Sequence, residues 1–228
     1  MNRVAERVDV PHTLRVIVLQ PVLEVHAPDG FALWPVDGTR PYAFLPLSGG
    51  LAPAEVGTAV MSIADCNTVE PEDGGRPPRP VDPLEGFLHG LLTMDDLFAS
   101  GGLRITDTAT GVTLLPGCCN GLDERRDWRE VLDGDGWASF GHDPSPLAER
   151  DGDTVRLTVD AQDESSPVIE VPLGDLRRLL ADAERDLDDF IRLAAGWVAL
   201  HLPDHASPVI SALGRALGLP VPTGPSAP

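Results

Sequence analysis

Eight apolar residues near the C-terminus, Leu173, Leu176, Leu180, Ala183, Leu187, Phe190, Ala194 and Trp197, recur at alternating intervals of three and four. That spacing holds one continuous stripe on one face of an α-helix. The stripe therefore predicts a long amphipathic helix over 173–200, stopped by Pro203. Asp175 lies in its first turn, where the positive end of the helix favours an acid. Asp188 and Arg192 stand at i and i+4 in the favourable order. A helix of this length needs a broad apolar surface to cover, and the segments upstream supply strands for it.

A run rich in β-branched residues occupies 14–25, with Pro21 inside it. Pro21 predicts an edge strand with a bulge, or two short strands. Residues 58–64 read as a short buried strand ending at Cys66, and 84–98 show helical spacing ended by Gly101-Gly102. Segments 103–107 and 112–115 flank Thr108-Ala109-Thr110-Gly111 and predict a hairpin. Three further strands are expected over 137–140, 154–159 and 168–171, and a short helix over 207–217. The expected fold class is α+β: a single domain over 13–219, with an antiparallel sheet of five to seven strands packed against the long C-terminal helix. Residues 1–12 and 220–228 are expected to be disordered. Residues 71–83, dense in Pro and Gly, are expected to form a loop within the domain rather than a boundary.

Charge narrows the function classes. Seventeen Lys and Arg against 36 Asp and Glu leave a formal charge of −19. A nucleic-acid binder presents a basic face to phosphates, and a peripheral protein of anionic membranes presents one to lipid, so neither is expected. An acidic surface suits a basic protein partner steered in by the field. Asp182, Glu184, Asp186, Asp188 and Asp189 crowd the polar side of the long helix, and of these Asp182, Asp186, Asp188 and Asp189 are the candidate partner-binding residues. No apolar run approaches the roughly 18 residues of a membrane span. The N-terminus has no signal-peptide pattern, and three cysteines are too few for a disulfide framework, so a cytoplasmic location is expected.

The densest unusual chemistry lies in Pro116-Gly117-Cys118-Cys119-Asn120-Gly121-Leu122. Asn120 reads as the N-cap of a helix starting near Gly121, with Asp123 in place for a weak capping box. Cys119 would then precede a helix N-terminus, with Arg125 and Arg126 one turn on, a setting that stabilises a thiolate. The plainer reading makes Cys118 and Cys119 small buried hydrophobes filling a tight corner. Gly141-His142-Asp143-Pro144-Ser145-Pro146 is a rigid loop with adjacent His and Asp. Together with Cys119 it holds the residue types of a Cys-His-Asp arrangement. Cys119, Cys118, His142 and Asp143 are therefore the candidate catalytic residues.

Metal sites find little support in the spacing. Pro203 breaks the helix that would align His201 with His205. Asp133-Gly134-Asp135-Gly136 begins like a calcium loop, but Trp137 and Pro144 occupy ligand positions. Adjacent cysteines with Cys66 elsewhere follow no usual zinc spacing. No phosphate loop or dinucleotide fingerprint is present, so no cofactor and no metal are expected.

The Pro116–Leu122 stretch, Trp128 with Val131-Leu132-Asp133-Gly134, and the Gly141–Pro146 loop together resemble a class of uncharacterised cytoplasmic proteins from high-GC actinobacteria. The likeness covers about residues 114–200 and implies no activity. In character rather than in motif the chain is also similar to immunity proteins of bacterial toxin systems, which are small, acidic and α+β. The leading functional expectation is a non-catalytic module, immunity-like or regulatory, that binds a basic protein partner. The alternative is a thiol-dependent enzyme using Cys119 or Cys118 with His142.

Overall fold

The computed structural model describes residues 15–26, 28, 30–38, 40, 42–68 and 77–220. The expectations for 1–12, for 221–228 and for 71–76 of the Pro/Gly loop fall outside the described residues. The chain is α+β, and among the described residues eight strands are divided between two four-stranded antiparallel sheets rather than joined in one. The first sheet is built from β1 (Ile17–Val25), β2 (Ala43–Pro46), β3 (Gly101–Asp107) and β4 (Thr113–Leu114), in the order β2-β1-β3-β4. The second is a simple meander of β5 (Trp137–Ser139), β6 (Leu147–Asp151), β7 (Thr154–Thr158) and β8 (Val168–Pro172).

Pro21 does not make β1 an edge strand. β1 is continuous and pairs with β3 from Ile17 to Leu23 and with β2 from Val22 to Val25. The Pro21 carbonyl accepts from the Leu47 amide at 2.9 Å, just where β2 ends. A residue's N–H and C=O leave a strand on the same side, so the N–H that Pro21 lacks would have pointed away from β3, towards the chain at the end of β2, and the β1–β3 ladder loses no hydrogen bond.

Residues 58–64 are helical, not a strand. They belong to α1 (Pro53–Cys66), which starts with Pro at N1 and with the Glu55 carboxylate accepting from the Ala52 amide at 2.7 Å. Every residue from Val56 to Ala64 is buried. A helix enclosed on all sides has no polar face, so the period that separates helix from strand is absent from its sequence. α2 (Pro83–Thr93) is capped by Asp82, whose side chain accepts from the Leu84 and Glu85 amides. It stops short of the expected residue 98, and Gly101 opens β3 instead of merely ending a helix. A Cβ on Gly101 would stand 2.1 Å from the Val22 carbonyl oxygen, so only glycine lets β3 approach β1 here.

The long helix, α4 (Leu173–His201), matches the expected span to within a residue. Its buried stripe is Leu176, Leu179, Ala183, Leu187, Phe190, Ala194, Trp197 and Val198, with Leu173 and Leu180 only partly covered. The stripe serves two apolar clusters. Leu176, Leu179 and Ala183 pack with the meander and with α3 (Trp128–Asp133). Leu187, Phe190, Ala194 and Trp197 pack with α1, with residues of β1 and with α5 (Ala206–Ala216). Trp34 joins this second cluster edge-on to Phe31, Phe87 and Trp197, and its indole N–H donates to the Gly57 carbonyl at 2.9 Å. Each fully buried large side chain contributes roughly 1.5–3 kcal/mol, so α4 joins the two clusters through its own apolar face. No helix among the described residues is long and apolar enough to cross a membrane.

Candidate functional site

The segment between β4 and α3 turns back sharply at Gly117. The Asn120 amide reaches the Gly117 carbonyl at 3.4 Å and closes a four-residue turn with Cys118 and Cys119 at its centre. Cys119 takes φ = 64°, the left-handed conformation that a turn asks of its third residue and that glycine or asparagine adopts more easily. An L-residue there costs of order 1–2 kcal/mol. The turn brings the two sulfurs to 3.3 Å and leaves both cysteines exposed. Burial of Cys118 and Cys119 as packing residues is therefore overturned: the corner is filled by Pro116, Gly117 and Asn120, which are buried, and the thiols project from it.

The second half of the site comes from the loop after β5. Cys118 and His142 form an isolated antiparallel bridge, with Cys118 N–H to His142 O at 2.6 Å and His142 N–H to Cys118 O at 3.3 Å. The Gly117 amide donates to the Phe140 carbonyl at 2.8 Å, one step earlier along the same contact. Two glycines permit this approach. A Cβ on Gly117 would meet Pro144 O at 2.3 Å and His142 N at 2.6 Å, and one on Gly141 would meet Cys118 O at 2.7 Å. Phe140 is fixed in turn by stacking on Trp128 of α3, with ring centroids 4.3 Å apart.

The structure thus joins the four residues that sequence alone left apart. His142 Nδ1 lies 3.1 Å from Asp143 Oδ2. The Sγ atoms of Cys118 and Cys119 and a ring nitrogen of His142 all lie within 4.8 Å of one another. Hydrogen bonds from Cys118 first and then from His142 hold the Cys119 thiol below its ordinary value. The same contact with Cys119 pushes the Cys118 thiol up, and Asp143 followed by Cys119 raises the His142 imidazole.

Three local expectations are corrected. Asn120 caps no helix: Gly121 holds that position before a 3₁₀ helix, Leu122–Asp127, and the Asn120 amide group donates to the carbonyls of Gly101 and Gly121. Cys119 owes its acidity to its side-chain neighbours and not to a helix end. Arg125 and Arg126 do not face the thiols. Arg125 is buried, forks onto Glu184 and donates to the Leu122 and Leu217 carbonyls, while Arg126 reaches the Gly218 carbonyl. Two cysteines that are neighbours in sequence gain a third donor of metal-ligating type, His142, from a distant loop, a grouping that spacing alone does not show. The glycines at 117 and 141 were the available signal, since each marks a place where backbones meet.

On α4 the acidic cluster is largely engaged within the chain. Asp182 pairs with Arg178 and Arg185, Glu184 with Arg125, and Asp189 with Arg192. Arg192 thus takes the i,i+3 acid Asp189 rather than Asp188. Burial, and then the neighbouring Asp189, raise the Asp186 carboxyl. No family model, curated protein or solved structure matches the chain.

Proposed function

We propose that the protein performs thiol chemistry, with Cys119 as the nucleophile. The observation that supports it is the exposed Cys118–Cys119–His142 grouping, held by a backbone bridge and glycine contacts. Cys119 passes its proton to His142 Nε2 and its sulfur attacks the acceptor. The leaving group departs with the proton that His142 returns. Asp143, on Nδ1, orients the imidazole. Because thiols and imidazole are all exposed, the setting suits an acceptor presented at the surface rather than one enclosed in a cleft. The test is alkylation of the folded protein at neutral pH in a Cys66→Ser background. Labelling faster than that of the unfolded chain, abolished by Cys119→Ser and slowed by His142→Ala, is expected. Labelling indifferent to His142→Ala rejects the reading.

A second reading keeps the non-catalytic, immunity-like or regulatory module that binds a basic protein. It is favoured by the charge of −19 and by Asp186 and Asp188, which join no ion pair among the described residues. Reversal of Asp186 and Asp188, and added salt, should both slow association with such a partner. Reversal of the paired Asp182 and Asp189 should do less. An association rate that ignores ionic strength excludes it.

A further inference from the structure

We infer that Cys118, Cys119 and His142 form a binding site for one thiophilic divalent cation of the zinc class. The donors are two thiol sulfurs and an imidazole nitrogen, the ligand chemistry that such ions prefer, all within 4.8 Å of one another. A tetrahedral ion with sulfur bonds of about 2.3 Å separates its two sulfurs by about 3.8 Å. The sulfurs stand 3.3 Å apart on exposed side chains, so a small rotation about each Cα–Cβ bond admits the ion. The bridge already holds the Cys118 turn beside the His142 loop.

His142 is also supported as ligands of this kind are. Its Nδ1 faces the Asp143 carboxylate at 3.1 Å, which selects the tautomer with a free lone pair on Nε2. Three protein donors leave a fourth position, and with all three side chains exposed that position opens to water. The inference rests on the same grouping as the thiol reading, though not on Cys119 being a nucleophile. A bound cation would occupy both sulfurs and silence them, which makes the metal a regulator of the thiols.

The experiment is titration of the reduced full chain with Cd²⁺, followed by sulfur-to-metal charge-transfer absorbance, and with Zn²⁺ in competition with a chromophoric chelator. One equivalent should bind. Cys118→Ser, Cys119→Ser and His142→Ala should each weaken binding by tenfold or more, and Asp143→Asn by about 10–100-fold. Cys66→Ser should leave it unchanged, and matched urea midpoints show that the variants are folded. Absence of stoichiometric charge transfer overturns the inference, as does a band that survives both Cys118→Ser and Cys119→Ser or vanishes in Cys66→Ser. Alkylation of the metal-free protein separates the two ideas. Fast His142-dependent labelling without metal binding leaves the thiol reading standing alone, whereas metal binding with slow labelling leaves the metal site alone.

Discussion

Cys118 and His142 are joined through their backbones, by amide-to-carbonyl bonds of 2.6 and 3.3 Å, and not through their side chains alone. The thiol turn and the histidine loop are therefore tied together by main-chain hydrogen bonds. Gly117 makes it possible, since an added Cβ would collide with Pro144 O and His142 N. Gly117→Ala should cost about 1–3 kcal/mol in chemical denaturation. It should also erase the effect of His142→Ala on Cys119 labelling. A variant of wild-type stability would show that the bridge is not tight.

Cys119 carries the conformational cost of the turn at φ = 64°. Cys119→Gly should then be more stable than Cys119→Ala by about 1 kcal/mol, because glycine adopts this conformation freely. Urea unfolding of the two variants measures it. Equal stability would mean that the left-handed turn is not populated in solution.

Phe190 is fully buried on the α4 stripe, whereas Asp186 is half-buried at its edge and joins no ion pair among the described residues. Phe190→Ala should cost about 3–5 kcal/mol, whereas Asp186→Ala should stay within roughly 0.5 kcal/mol of wild type. Similar losses for both would place the apolar face wrongly.

Arg125 is buried and depends on Glu184 for its counter-charge, with hydrogen bonds of 3.0 and 2.9 Å to the two carboxylate oxygens. Glu184→Ala leaves the guanidinium with only carbonyl partners and should cost about 1–3 kcal/mol. Glu184 is itself half exposed, so water replaces part of the loss. A neutral result would show that the two carbonyls suffice.

Asp107 gives a pH dependence. Burial raises its carboxyl, but hydrogen bonds from the Ala109 and Thr110 backbone and the Arg15 guanidinium together outweigh it and lower the net value. A depressed folded value stabilises the native state above the ordinary Asp range, near 3.9. That contribution fades as pH falls through the folded value. Urea midpoints from pH 6 down to pH 3 should fall less steeply for Asp107→Asn than for wild type. Parallel slopes would remove Asp107 from the acid response.

Much of the scaffold could be read from local pattern. The α4 stripe was legible because one face of that helix is solvated, so its period survives in the sequence. The hairpin of β3 and β4 was legible from its turn, which is tied by Gly111 N–H to Asp107 O at 2.8 Å. β6 was not, since Leu147-Ala148-Glu149-Arg150-Asp151 is mostly polar and its strand state comes from pairing with β5 and β7. α1 was misread for the opposite reason, its burial on every side.

For the site, sequence by itself determined the residue types: two adjacent cysteines beside glycine and a His-Asp pair before proline. Only tertiary structure decided that the thiols are exposed and within reach of His142, and that Arg125 turns away to Glu184. Exposure and proximity depend on which backbones approach each other. That is set by long-range contacts such as Phe140 on Trp128 and Gly117 against His142, which no local spacing encodes.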